Sequence, residues 1–179
     1  MSRRYALAFP ALLLAACSAS AALPAGARAP DFTTEASLAG KPFRFSLADA
    51  LKKGPVVLYF YPAAFTKGCT IEAHDFAEAT DDFTRLGATV IGVSADPIDT
   101  LNQFSVSECR NKFAVASADA KLIDAYDVKL PVMARSNRTS FVIAPDGKII
   151  FEYSALDPAG HVDKTMAAVK AWRAQHPAT

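Results

Sequence analysis

Val56-Val57-Leu58-Tyr59-Phe60-Tyr61-Pro62-Ala63-Ala64-Phe65-Thr66-Lys67-Gly68-Cys69-Thr70-Ile71-Glu72 decides how the rest of the chain is read. Its first six residues are β-branched, aliphatic or aromatic and carry no charge, the pattern of a strand buried on both faces. Pro62 has no N–H to give a sheet, so the strand ends there. From Ala73 onward the apolar residues Ala73, Phe76, Ala77, Thr80 and Phe83 recur at helical spacing. Glu72, Asp75, Glu78, Asp82 and Arg85 take the opposite face, and Gly87 stops the helix. The unit therefore reads strand, tight loop, helix, with Cys69 in the first helical turn.

A helix start presents unpaired N–H groups and about half a positive charge, which favours thiolate over thiol. A free cysteine titrates near ~8.5, and such a position lowers that by one to several units. Thr66, three residues earlier, places a hydroxyl at the same pocket, and Pro62 shields the sulfur from bulk water. From these residues alone a second reading stays open, a small buried cysteine with no chemistry.

Around this unit the chain is one domain of ordinary size. It has 179 residues, 51% of them hydrophobic, and a net charge of +1. Nothing in that charge points to nucleic acid or to an anionic membrane surface. The first residues read as a secretory leader rather than fold: Arg3 and Arg4, then an apolar run from Tyr5 to Ala16, too short to span a bilayer. Leu14-Ala15-Ala16-Cys17 resembles a lipoprotein signal in which Cys17 is lipidated. Ala19-Ser20-Ala21 suits ordinary cleavage before Ala22. The organisation expected is a leader over 1–21, a linker over 22–29 and one domain over 30–176.

Of three cysteines, loss of Cys17 to the leader or to lipid leaves Cys69 and Cys109. An exported domain with two cysteines more often pairs them than leaves them free. There is no Cys-x-x-Cys, so a thioredoxin-type dithiol and a zinc site are both excluded.

Further along, Lys41 to Leu47 alternates as a half-exposed strand and Ala48 to Lys53 makes a helical turn. Thr89 to Ser94 is a buried strand. Asp96-Pro97 opens a helix with Asp as its cap, running to about Glu108 with Cys109 near the end. Phe113 to Ala116 is a strand, Lys121 to Tyr126 a helix, and Lys129 to Asn137 a loop. Thr139 to Ile143 and Lys148 to Tyr153 flank the turn Ala144-Pro145-Asp146-Gly147. A last helix from Asp157-Pro158 buries Val162, Met166, Val169 and Trp172. His74, His161 and His176 are scattered and read as surface or helix-face residues. Strands alternating with helices, then a hairpin and a closing helix, give an α/β sandwich.

Pro62-x-x-x-Thr66-x-x-Cys69 resembles the active-site pattern of the peroxiredoxins, and Cys69-Thr70-Ile71-Glu72 resembles their Q-type, or bacterioferritin comigratory protein, subgroup. The likeness runs from about Ala29 to Ala171. It implies a thioredoxin fold with peroxiredoxin-type additions, a central mixed sheet flanked by helices. It also implies a thiol peroxidase with Cys69 as the peroxidatic residue, with Pro62 and Thr66 beside it. Arg138, in Arg138-Thr139-Ser140-Phe141-Val142-Ile143, falls where the family places an arginine that steadies the thiolate and orients peroxide. Glu72 either orients that arginine or simply opposes the helix dipole.

Many Q-type proteins carry a second cysteine five residues after the first, where this chain has His74. Another branch carries it in the next helix, and Cys109 resembles that arrangement. On that reading Cys109 resolves Cys69 after local unwinding of both segments, and the alternative is a one-cysteine enzyme. The resemblance implies no metal, haem or flavin, and implies a peroxide substrate and a thioredoxin-like or other dithiol reductant. The whole is read as an exported monomer, periplasmic or anchored to a membrane through Cys17. The rival is a non-peroxidatic thioredoxin-fold redox sensor or metal-handling partner protein.

Overall fold

The structure, a computed structural model, describes residues 22–177. The expected leader over 1–21, including Cys17, lies outside the described residues. Among those described, Val56–Phe60 (β3) sits inside a seven-stranded mixed sheet. It pairs in parallel with Thr89–Ser94 (β4) and antiparallel with Thr139–Ile143 (β6). Beyond β4 lie Ala114–Ser117 (β5, parallel to β4), Thr33–Leu38 (β1) and Lys41–Ser46 (β2), the last two antiparallel. Ile149–Ser154 (β7) closes the other edge against β6.

Successive side chains of a strand point to opposite faces, so β3 feeds two separate cores. Val56, Leu58 and Phe60 join Ile91, Val93, Tyr126 and Phe141 on one side, covered by the helices Leu47–Leu51 (α1) and Ala120–Ala125 (α4). Val57, Tyr59 and Tyr61 join Phe76, Phe83, Leu101, Phe104 and Val169 on the other. That side is covered by Lys67–Arg85 (α2), Ile98–Ser107 (α3) and His161–Gln175 (α5). Tyr59 stacks on Phe76 with ring centroids 4.4 Å apart, and Tyr61 stacks on Phe104 at 5.6 Å. The site's helix is thus fixed to its strand by aromatic contact as well as by buried area.

Several expectations change. β1 is an added strand that no sequence pattern announces. Leu47 starts α1, capped by the Ser46 hydroxyl, which accepts from Asp49 N–H, instead of ending a strand. α5 starts at His161, three to four residues later than Asp157-Pro158 suggested, and its fully buried stripe is His161, Thr165 and Val169. Val162, Met166 and Trp172 are only half-buried, and Trp172 stacks on His176 instead of entering the core. Asp96 does not cap α3: the N-cap is Pro97, and the Asp96 carboxylate turns back toward the loop before Cys69.

Candidate active site

The loop Pro62–Thr66 is short and held from both sides. Asp96 accepts from Ala64 N–H at 2.7 Å and from the Ser94 hydroxyl at 2.9 Å. Arg135 donates to the Pro62 carbonyl at 3.0 Å, and the Ser136 hydroxyl donates to the Tyr61 carbonyl at 2.9 Å. Phe65 takes a left-handed conformation (φ 63°), uncommon for a side chain of that bulk. This bracing is what lets a non-glycine residue hold the turn. The sequence signals no loop-bracing role for Asp96, Arg135 or Ser136, because each reaches the loop from tens of residues away.

Thr66 is the N-cap of α2, and its exposed hydroxyl donates to the Ala63 carbonyl at 2.9 Å. It closes the loop; that bond points at the loop's own backbone, not at sulfur. Cys69 follows in the first turn, only 2% exposed, with its Sγ 3.5 Å from Arg138 Nη2. Lys67 is exposed.

Arg138 is fully engaged. Nη2 donates to Cys69 Sγ, Nη1 to Glu72 Oε2, and Nε to the Leu156 carbonyl at 2.9 Å. Burial opposes its charge, but Glu72 and Cys69 beside it hold the guanidinium above its usual range. A planar fork with three fixed partners leaves the guanidinium little freedom over the sulfur. Gly68 faces it closely: a Cβ there would stand 2.9 Å from Nη2.

Glu72 corrects the helical-face reading. It is completely buried, not on the polar face, and it orients Arg138. Burial pushes its carboxyl up to about 8, against the pull of Arg138. His161 is likewise buried, not on the surface. Its Nδ1 lies 2.8 Å from the Ser140 hydroxyl, its Nε2 3.1 Å from the Ala155 carbonyl, and its Nδ1 3.6 Å from Glu72 Oε1.

Cys109 sits just past α3, fully buried, and both it and Cys69 are free. Burial, with Glu108 beside it, pushes its thiol well up. Its segment is strapped to α2 by a His74–Glu108 hydrogen bond at 2.9 Å and by two ion pairs, Arg110–Glu78 at 3.0 Å and Lys112–Asp81 at 2.9 Å. Arg110 and Asn111 are both left-handed (φ 51° and 60°). Among the described residues no group of three His, Cys, Asp or Glu side chains is placed to hold a metal ion.

Comparison with known proteins fits this geometry. Residues 25–152 match the AhpC/TSA family model. Peroxiredoxin Bcp of Xanthomonas campestris pv. campestris is 33% identical over 122 residues, 65% of this chain and 76% of that protein. Peroxiredoxin Bcp of Bacillus subtilis is 32% identical over 121 residues, 64% and 77% of the two chains. The crystal structure of peroxidoxin BcpB from Mycobacterium tuberculosis superposes with a TM-score of 0.73 at 33% identity, covering 82% of this chain and 96% of that one. A braced loop, a buried cysteine at a helix start and an arginine on its sulfur therefore stand in a matching sequence frame, and the chain belongs to the AhpC/TSA family, among the Bcp-type peroxiredoxins.

Proposed function

We propose that this chain is an exported thiol peroxidase that uses Cys69 as its peroxidatic residue. The Cys69 thiolate attacks the terminal oxygen of hydrogen peroxide or an organic hydroperoxide. A sulfur–oxygen bond forms as the O–O bond breaks, giving a sulfenic acid, and the departing hydroxide or alkoxide takes up a proton. The observation that carries this reading is Arg138 Nη2 at 3.5 Å from Cys69 Sγ in a buried helix start. There the guanidinium steadies the thiolate and then the charge moving onto the leaving oxygen. Pro62 and Thr66 shape the loop that closes over the sulfur.

Cys109 then condenses with the sulfenic acid, releasing water and forming a disulfide. A thioredoxin-like or other dithiol donor returns both sulfurs to thiols. Cys109 is buried, so this step needs local opening of its segment and of the first turn of α2. In this reading the protein acts as a monomer outside the cytoplasm, anchored through lipidated Cys17 or released by cleavage before Ala22. N-terminal sequencing of the mature protein separates those two processing routes.

The test is peroxide consumption with a thioredoxin donor. Cys69→Ser abolishes it, and Cys109→Ser leaves the first oxidation intact. Arg138→Ala slows that oxidation about 10²-fold to 10³-fold, as loss of a fixed donor does elsewhere. Wild-type turnover by Cys69→Ser overturns the proposal.

A further inference from the structure

Pro131, Val132, Met133 and Ala134 stand in solvent one after another, Val132 at 93% and Met133 at 56% exposure. A single exposed apolar residue is ordinary, but an unbroken exposed run serves nothing in a sequence that only has to fold. The run is not loose chain. Lys129 and Ser136 form an antiparallel bridge, Leu130 N–H donates to the Arg135 carbonyl at 2.9 Å, and Asn137 N–H donates to the Val128 carbonyl at 2.6 Å. These bonds make residues 128–137 a narrow hairpin with the apolar run at its tip. Its base is fixed to the active-site loop, since Arg135 donates to the Pro62 carbonyl and the Ser136 hydroxyl to the Tyr61 carbonyl.

The other end of the chain says what covers that tip. Residues 22–29 are bound to the fold and give no slack. Ala22 and Ala29 are buried, Leu23 N–H donates to the Tyr126 carbonyl at 3.3 Å, Gly26 N–H to the Ile149 carbonyl at 2.7 Å, and Ala29 N–H to the Gly147 carbonyl at 2.9 Å. Between Cys17 and Ala22 stand only Ser18-Ala19-Ser20-Ala21. Even fully extended, that stretch reaches at most about 18 Å. The Tyr126 carbonyl that takes Leu23 lies two residues before the hairpin base at Val128, so the tip at Val132 is at most about 22 Å from it. A lipid on Cys17 therefore holds this side of the domain within about a hairpin's length of the bilayer.

We propose that the hairpin tip, Pro131 to Ala134, docks into the bilayer that holds a lipidated Cys17, giving the attachment a second point and setting the active-site loop at the membrane surface. This rests on the lipid-anchored form of the exported-peroxidase reading. A lipid alone leaves the domain free to swivel on its tether, whereas a second contact fixes which side faces the membrane. The short tether keeps the tip at high effective concentration over the surface, so insertion of two side chains, Val132 and Met133, is enough. Lys129, exposed at the hairpin base and 3.4 Å from Asp124, lays its apolar stem along the interface and keeps its ammonium among the headgroups. A second copy of the chain fits the tip poorly. A stable interface takes about 800 Å² from each partner, far more than one hairpin tip offers, while a bilayer requires no matching surface.

A fluorescent tip tests this. Trp172 is the chain's only tryptophan, so Val132→Trp combined with Trp172→Phe leaves the tip as the one indole. The mature protein is purified, its N-terminus is read by mass analysis, and it is reconstituted into phosphatidylethanolamine–phosphatidylglycerol vesicles with and without bromine on the acyl chains. The expected result is a lipidated Cys17 and an indole emission that moves to the blue and is quenched by the brominated chains. Met133→Asp in the same protein lowers the ratio of inserted to free tip about tenfold or more, the effect of withdrawing one buried apolar side chain. It leaves hydrogen peroxide consumption in detergent unchanged. A lipidated protein with an unquenched tip overturns the docking and leaves the anchor standing. A tip that is blue-shifted but unquenched is covered by protein, a second copy or a partner, and overturns it as well. A mature N-terminus at Ala22 removes the tether and the proposal with it, while leaving the chemistry of Cys69 untouched. The quenching needs no turnover, so it stands or falls apart from the peroxidase reading.

Discussion

Gly68 stands against Arg138 so closely that a methyl group on it would lie 2.9 Å from Nη2, inside any real contact distance. The nitrogen it would displace is the one that reaches Cys69. Gly68→Ala therefore pushes the guanidinium off the sulfur while leaving every reacting group in the sequence. The helix itself gains, because alanine is the better helix former by about 1 kcal/mol. The expected outcome is a protein that melts no lower than wild type yet reacts with peroxide at least about tenfold more slowly, since misplacement of a catalytic donor by about an ångström costs that much or more. Equal rates for Gly68→Ala and wild type would show that Arg138 has room to move.

Resolution by Cys109 should depend on ionic strength where the first oxidation does not. The two ion pairs strapping residues 110–112 to α2, Arg110–Glu78 and Lys112–Asp81, are largely exposed, so salt screens them. Raising the salt speeds disulfide formation about twofold to fivefold, the range expected for exposed pairs. Arg110→Ala does the same at low salt. Rapid-mixing measurement of sulfenic acid decay reads both, and a decay indifferent to salt removes the strap from the cycle.

Gly92 is a stability prediction away from the chemistry. A Cβ there would stand 2.7 Å from the Tyr59 hydroxyl and ring, and Tyr59 cannot retreat because Phe76 is stacked on its other side. Gly92→Ala overpacks this layer and costs about 1–3 kcal/mol in chemical denaturation. An unchanged midpoint would mean that the stack yields.

Glu72 and His161, both buried, also set a slope of stability against pH. Glu72, raised to about 8, binds a proton when folded that the unfolded chain releases near 4.5, so its contribution is lost as pH rises through about 8. His161, lowered from 6.5 to about 4, contributes in the opposite sense, with stability lost as pH falls toward 4. The two oppose each other between about 4.5 and 6.5. From about 6.5 to 8 only the Glu72 slope remains, and stability falls by about 2 kcal/mol with rising pH. Glu72→Gln flattens that stretch of the urea-midpoint profile; the same slope in the variant assigns it to other groups.

What the sequence made legible was local. An uncharged β-branched and aromatic run stopped by Pro62 marks β3, and the switch to helical spacing after it marks α2. Pro145 and Gly147 announce the turn between β6 and β7. β1 stayed hidden because Thr33–Leu38 shows neither alternation nor an apolar run: only Ala36 and Ser37 are buried, and pairing on both sides makes it a strand. Glu72 lies one position before the apolar stripe of α2, and nothing local says that Arg138, 66 residues on, draws it inward. Asp96 before a proline has the form of a helix cap, but Ala64 N–H and Arg135 offered its carboxylate other partners. His161 gives no sequence signal at all, since its meaning comes from Glu72 and Ser140 on two other elements.

The alternation along β3 has a consequence for how the protein can change. Val57, Tyr59 and Tyr61 look into the layer that carries both cysteines, whereas Val56, Leu58 and Phe60 look into the layer that carries neither. The strand works as a bulkhead between two compartments of one small domain. Residues on the far side, Tyr126 and Phe141 among them, can be exchanged or refilled with little reaching the sulfur. A change of one methyl group at Val57 or Tyr59 is felt in the same layer as Cys69 and Cys109. Neighbouring positions on a single strand thus answer to different demands, one set to holding the domain together and the other to keeping a thiol in place.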